Sequence, residues 1–300
     1  VSVLIGCSGW SYEDWAGRFY PVNIAKKKEE WLRYYSSFFS TVEINSTFYR
    51  MPNDFIVNGW IKKGLGLKGF EYSVKMMSQV THESLAKKEG VKAGILASAF
   101  EVACIRPLAD NKLLGTVLVQ LPPGLRNEED SRKALEDTLD ALDTDKYRYA
   151  VEFRNRSWLD DSTGGPEPRV RDLLGSRGVA NVSADGPGMP LTTETTTDHA
   201  YVRLHGRDHD VWSDQEHEDD IRLSRFDYLY SEEELQEIKD HLVQISDKVS
   251  EVRVYFNNTA KAKGIRNALQ LMDLMGIHHR GKEIPLQDQT HLGAFLMAKH

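Results

Sequence analysis

Eight short runs rich in β-branched and aromatic residues, most of them separated by helical patterns, constrain what this chain can fold into. They cover residues 3–7, 41–45, 70–75, 115–121, 148–154, 179–183, 199–205 and 251–257. Several lack the apolar/polar alternation of a half-exposed sheet, as strands covered on both faces do. Alternation of strand and helix through eight strands predicts an α/β fold, a single (β/α)8 TIM barrel. The alternative, an open doubly wound sheet, usually has fewer strands.

The intervening segments carry helix marks. Trp31, Tyr34, Tyr35 and Phe38 share a helical face, and Asn53 can cap a segment bearing Val57, Trp60 and Ile61. Val91, Ile95, Val102 and Ile105 form a stripe that Pro107 is expected to stop. Leu135, Leu139 and Leu142 make the next. Val170, Leu173 and Leu174 follow, ended by Gly175 or Gly178. Ser231 with Glu234 reads as a capping box ahead of Leu235, Ile238 and Leu242. Ala268, Leu271, Met272 and Met275 close the series. Two places break the rhythm: 186–198 lacks a helix pattern, so the sixth unit is irregular, and 207–225 is a long loop after the seventh strand. With no linker or composition shift, one domain over 1–300 is expected, the barrel occupying about 1–276 and 277–300 flanking it.

The formal net charge of −7 argues against whole-surface attraction to nucleic-acid phosphates, though not against a local basic groove. Mean hydropathy is −0.48 and no apolar run approaches a bilayer span, so no membrane partner is expected. The apolar start, Val1 to Ile5, carries no basic residues, so no export leader is expected in it. With only Cys7 and Cys104, neither a disulfide framework nor a structural metal site is expected, and a cytoplasmic location fits.

Because helices cover the outside of such a barrel, polar strand residues must point inward. Residues two apart share a face, which pairs Glu43 with Asn45, Ser73 with Lys75, and Glu152 with Arg154. Arg203 pairs likewise with His205, Tyr255 with Asn257, and Leu118 with Gln120. The second member of each pair falls at the C-terminal end of its strand, where this fold places function. Lys75, Arg154 and Arg203 are the expected cations, with Arg156 and Arg207 as further candidates; Asn45, Gln120, Asn257 and Asn258 are hydrogen-bonding groups. Guanidinium groups recognise carboxylate or phosphate in two-pronged fashion. Glu43 or Glu152 can serve as general base, and Lys75 or His205 as general acid. The opposing reading is a buried ion-pair lattice in which Glu43, Glu152, Lys75 and Arg154 neutralise one another.

Trp10, after the first strand, is expected to wall the pocket or to pack over the barrel mouth. Cys7 reads as a small buried hydrophobe rather than a nucleophile. The acidic, His-containing run 208–220 reads as surface or lid. Glu43, Glu152 and His205 form a conceivable divalent-metal set, disfavoured by the neighbouring cations, so no metal and no cofactor is predicted. Dinucleotide, P-loop and HExxH motifs are absent.

The segments GCSGWSYEDW from Gly6, VEINSTFYRMP from Val42, FEYSVK from Phe70 and QLPP from Gln120 resemble the YecE-like family, domain of unknown function 72. So do VEFRNRSW from Val151, YVRLHGR from Tyr201, DYLYSEEEL from Asp227 and YFNNT from Tyr255. The resemblance implies a TIM-type barrel and no defined reaction. It carries Glu43, Asn45, Lys75, Gln120, Glu152, Arg154, Trp158, Arg203, His205, Asn257 and Asn258 as matched positions. Asn155 departs from it, since the family often has His there. Fold analogy points towards sugar-isomerase and apurinic-endonuclease barrels, whose His-rich metal clusters this rim does not repeat.

The leading expectation is an enzyme doing proton transfer, of isomerase or lyase type, on a small anionic or polyhydroxylated molecule such as a sugar phosphate. Lys75, Arg154 and Arg203 would bind the anion. The rivals are a nucleic-acid-binding or endonuclease-like protein, stacking bases on Trp10, Tyr12, Trp158 and Tyr228, and a non-catalytic metabolite sensor.

Overall fold

The computed structural model describes residues 1–208 and 226–285. Eight parallel strands form one sheet: β1 (Ser2–Cys7), β2 (Thr41–Ile44), β3 (Glu71–Lys75), β4 (Leu114–Gln120), β5 (Tyr149–Glu152), β6 (Ala180–Asp185), β7 (His199–Leu204) and β8 (Glu251–Phe256). Their order is β1-β8-β7-β6-β5-β4-β3-β2, so the sheet curls back on itself as a (β/α)8 barrel. Each predicted strand is present, with only its ends displaced. Around it, among the described residues, lie α1 (Lys28–Tyr35), α2 (Asp54–Gly64), α3 (Gly90–Phe100), α4 (Arg106–Asp110), α5 (Glu129–Asp140), α6 (Pro168–Gly175), α7 (Glu232–Ser246) and α8 (Lys263–Leu274). None of these is long and apolar enough to cross a membrane.

The seam between β1 and β2 is closed by a side chain. The Tyr35 hydroxyl, at the end of α1, accepts from the Cys7 amide (2.8 Å) and donates to the Thr41 carbonyl (3.1 Å). It therefore stands where a ladder bond would run. The strands approach so closely here that a Cβ on Gly6 would sit 2.3 Å from the Thr41 oxygen, so only glycine fits.

Caps fall where the sequence puts them. Asn53 Oδ1 accepts from the Ile56 amide at 3.0 Å, and Ser231 and Glu234 form the reciprocal capping box of α7. Residues 186–198 join β6 to β7 without a helix, tied back by Thr192 to Ser183 and by Thr196 to Asn181. The chain after α8 returns over α1, where Lys282 donates to the Tyr34 hydroxyl and Ile284 is buried. The loop expected over 207–225 lies outside the described residues from 209 on, as does most of the expected 208–220 lid.

One helix is turned the other way from the prediction. Val91, Ile95 and Val102 are 69%, 67% and 53% exposed, whereas Ala93, Ala97, Phe100 and Cys104 are buried, with Ile105 alone of the predicted stripe among them. The buried face is the small-residue one because α3 lies almost backbone to backbone on α5. A Cβ on Gly90 would meet Ala134 Cα at 2.6 Å. Hydrophobicity selects the largest side chains on a helix, but this contact selects the smallest. Nor does Pro107 stop the helix. A π turn, Glu101–Ile105, widens it just before, and the proline falls in the first turn of α4, where its missing N–H is tolerated.

The barrel interior is layered, and two of its layers are ionic. Near the strand starts Arg253 of β8 donates to Glu71 of β3 through Nε (2.6 Å) and Nη2 (2.9 Å). Above it the Tyr255 hydroxyl meets Thr41 Oγ1 and Ser73 Oγ, at 2.6 and 2.8 Å, beside a small apolar cluster of Leu118, Ala150, Ala180, Val182, Ala184 and Tyr201. Small residues on β5 and β6 leave the room that long arginine and tyrosine side chains fill. The third layer, nearest the strand ends, contains Glu43, Glu152 and Arg203.

Candidate functional site

Strand register sets the depth of every site residue. On β2, β5 and β7 the inner positions are Glu43, Glu152 and Arg203, and two residues further along come Asn45, Arg154 and His205. The inner three are buried, at 1% exposure or less. The Arg203 guanidinium grips Glu43 with Nε (3.0 Å) and Nη2 (2.9 Å), and its Nη1 reaches Glu152 Oε2 (2.5 Å) and Gln120 Oε1 (3.1 Å). Tyr201 donates to Glu43 Oε2 (2.6 Å), and Arg154 to Glu152 Oε1 (2.9 Å). Despite burial, Arg203 holds both carboxyls below the usual range, Glu152 well below it. The guanidinium occupies the space between the two carboxylates. A divalent ion held by Glu43, Glu152 and His205 would face that positive charge.

His205 shares Glu152. Its Nδ1 accepts from Asn257 Nδ2 at 3.0 Å, so the ring proton lies on Nε2, which donates to Glu152 Oε1 at 3.0 Å. Burial pushes its pKa down to about 4, so the ring is neutral at pH 7.

Above this layer opens a cleft of about 720 Å³. Of the predicted residues, Trp10, Asn45, Lys75, Gln120, Arg154, Arg203, His205 and Asn257 line it. The two glutamates do not; they lie beneath, with their oxygens on guanidinium, Tyr201 and His205 hydrogens. That favours a support role over the general-base role expected of them, since a low-pKa carboxylate already saturated with donors is a weak base.

Two predicted residues face elsewhere. Trp158 is buried, stacks on Phe153 at 5.1 Å and donates through Nε1 to the Leu125 carbonyl. Asn258 donates to the Tyr228 carbonyl and to Asn267 Oδ1, fixing the loop after β8. The further candidates Arg156 and Arg207 also lie outside the lining. Arg156 is exposed beside Asp161, and Arg207 is held by Asp185 and Glu237. Tyr228 donates to Glu234. Asn155, where the resembled family often has His, caps the turn before Trp158 and donates to the Pro123 carbonyl. Cys7 is fully buried, and burial pushes its thiol pKa far up.

Lys75 differs from the other cations. Among the described residues its ammonium has no carboxylate partner; it lies over the Phe48 ring, 4.0 Å from the centroid. Burial, with Arg203 next, lowers its pKa to about 8. Among the described residues, Glu43, Glu152, Arg154 and Arg203 offset one another, and Lys75 is the cation of the lining without a carboxylate beside it. Phe48 is held there by the turn after β2, where Thr47 Oγ1 donates to the Lys75 carbonyl (2.6 Å). His82 meets the same ring edge-on, with centroids 4.8 Å apart, and burial lowers its pKa to about 4.

Tyr12, Phe48, Tyr49, Trp60, His82 and Phe226 also line the cleft. All but Tyr12 escaped the sequence reading as pocket residues. The pair Phe48-Tyr49 follows rim residue Asn45 closely, a signal that was available. His82 sits on a π turn, Gln79–Ser84, outside any strand register, and nothing in its spacing points to the cleft.

Comparison with known proteins agrees with this architecture. A DUF72 family protein of Thermotoga maritima has a similar structure, with a TM-score of 0.78 and 30% identity, over 92% of this chain and 100% of that one. A DUF72 family protein of Enterococcus faecalis matches with a TM-score of 0.76 and 21% identity, over 94% and 100% of the two chains. UPF0759 protein YunF of Bacillus subtilis is 26% identical over 285 residues, covering 93% of this chain and 96% of that protein. The family described as "Protein of unknown function DUF72" matches residues 4–291, and the chain belongs to it.

Proposed function

We propose that the cleft binds a small organic anion with a hydroxylated body, of the sugar-phosphate or sugar-acid kind, and that the protein is an enzyme moving a proton on it. The observation that carries this reading is Lys75, an ammonium without a carboxylate partner among the described residues, at the floor of an aromatic-walled cleft. A half-buried charge is stabilised by a counter-ion, and an anionic ligand supplies one. Arg154 and Arg203, whose charges Glu152 and Glu43 balance, stand beside Lys75 in the cleft lining. Asn45, Gln120 and Asn257 line the cleft with amide side chains suited to a ligand's hydroxyl groups. Trp10, Trp60 and Tyr49 offer flat faces for the carbon skeleton.

Proton transfer suits the titrating groups. Lys75, with a pKa near 8, exchanges protons close to neutrality, and neutral His82 stands across Phe48. The two glutamates act through Arg203, which they orient. The reading invokes no metal and no cofactor.

Single-stranded nucleic acid is the second reading, because the rings of Trp10, Tyr12, Phe48, Tyr49, Trp60 and Phe226 can stack bases. A thermal-shift screen separates the classes: sugar phosphates, sugar acids, inorganic anions, and short single-stranded and abasic DNA, each with and without divalent metal. Ligands bound only by the native state raise its melting temperature by mass action. Stabilisation by small anions supports the first reading, and turnover assays then separate enzyme from metabolite sensor. Stabilisation by DNA with silent small anions supports the second.

A further inference from the structure

We infer that Lys75 is a covalent amine nucleophile, and that the small anion for which the cleft is built is an aldehyde or ketone captured as an iminium on Nζ. This rests on the anion-binding reading above and extends it from charge to chemistry.

Three features of the geometry lead there. First, Lys75 ends β3, and its backbone is pinned by Thr47, so the amine is presented from a rigid strand. Second, its Nζ contacts an aromatic face and, among the described residues, no carboxylate, unlike the paired arginines beside it. A lysine serving only to balance charge would be expected against Glu43 or Glu152, but Arg203 takes both. Third, the space above it is part of a cleft of about 720 Å³ lined by Asn45, Gln120 and Asn257, whose amides can hold carbonyl and hydroxyl oxygens in place. An amine in such surroundings keeps a usable free-base fraction at neutral pH, as burial and Arg203 provide here with a pKa of about 8.

The step balances without an added reagent. The ammonium releases a proton, and the nitrogen lone pair forms the C–N bond. The carbonyl π pair moves to oxygen, which takes up the proton that the new cationic nitrogen gives up, and the carbinolamine results. Protonation of that hydroxyl and departure of water leave the iminium. Net, ammonium and carbonyl give iminium and water with charge conserved. The iminium then draws electron density from the adjacent carbon, which labilises its proton for the isomerase or lyase chemistry proposed above.

Borohydride trapping tests this on the intact protein. The chain is incubated at pH 7 with dihydroxyacetone phosphate, pyruvate or glyoxylate, reduced, and mapped by peptide mass spectrometry. Expected is a saturable secondary-amine adduct at Lys75, formed at least about tenfold faster than at any exposed lysine and suppressed by inorganic phosphate. Lys75→Arg should lose the adduct while phosphate still raises its melting temperature, because the charge remains. Adducts spread over surface lysines, with none favoured at Lys75, overturn the inference. If phosphate nonetheless stabilises the wild type, only the covalent step falls. If phosphate neither stabilises nor competes, the anion-binding reading falls with it.

Discussion

The Arg203 guanidinium crosses the barrel interior from β7 and takes both carboxylate oxygens of Glu43 on β2, at 3.0 and 2.9 Å. Its remaining terminal nitrogen reaches Glu152 on β5. One side chain thus ties three strands together directly beneath the cleft. Removing it strands two buried carboxylates. Arg203→Met should lower unfolding free energy at pH 7 by about 3–5 kcal/mol, measured by urea denaturation. Adding Glu43→Gln to that variant should recover part of the loss. A loss below about 1 kcal/mol would show that the layer is not coupled as its distances imply.

His205 sets an acid limit. Its pKa is near 4 in the fold and 6.5 in the unfolded chain, so between these values the unfolded state binds more protons. Stability therefore falls as pH drops from 6.5 to 4, by up to about 3 kcal/mol from this group. His82 acts in the same direction over the same window. Glu43 and Glu152, with folded pKa values below 4.5, stabilise above that pH and lose their contribution as it falls further. His205→Gln should flatten the melting-temperature profile between pH 6.5 and 4; an unchanged profile would assign the acid sensitivity elsewhere.

The barrel seam rests on one hydroxyl. Tyr35→Phe leaves the Cys7 amide and the Thr41 carbonyl without their bonds to it, in a buried setting. A destabilisation of about 2 kcal/mol is expected, with ligand-induced melting shifts unaltered. Amide exchange at Cys7 reads the local effect: faster exchange is predicted, and unchanged protection would mean that another group closes the seam.

Trp158 should behave as a packing residue. Trp158→Phe removes its bond to Leu125 and part of its stacking on Phe153. The variant should melt lower, by about 1–3 kcal/mol of stability, yet bind small anions as the wild type does. Weakened anion binding with unchanged stability would return Trp158 to the site.

The strands were legible because their runs are apolar on both faces, and the rim residues because a polar group on such a strand has only the interior to occupy. Asn45, Lys75, Gln120, Arg154, His205 and Asn257 follow from that rule alone. Depth was less legible. Periodicity says that Glu43 points inward with Asn45, but not that Arg203 is long enough to cross the lumen and consume it. Trp158 and Asn258 stand beside rim residues in sequence, while their side chains turn back into the wall. On α3 the large apolar residues marked the wrong face because Gly90 and Ala93 carry the packing. His82 reaches the cleft through a π turn, which leaves no periodic trace.

The most direct test of the central claim is the binding isotherm of a sugar phosphate, by titration calorimetry, for wild type and Lys75→Met. Methionine keeps the packing on Phe48 and removes the charge. Saturable binding to the wild type, weakened at least about tenfold in the variant with its melting temperature preserved, is the predicted result. Equal affinity in the two proteins would contradict the assignment of Lys75 as the cation that selects the ligand.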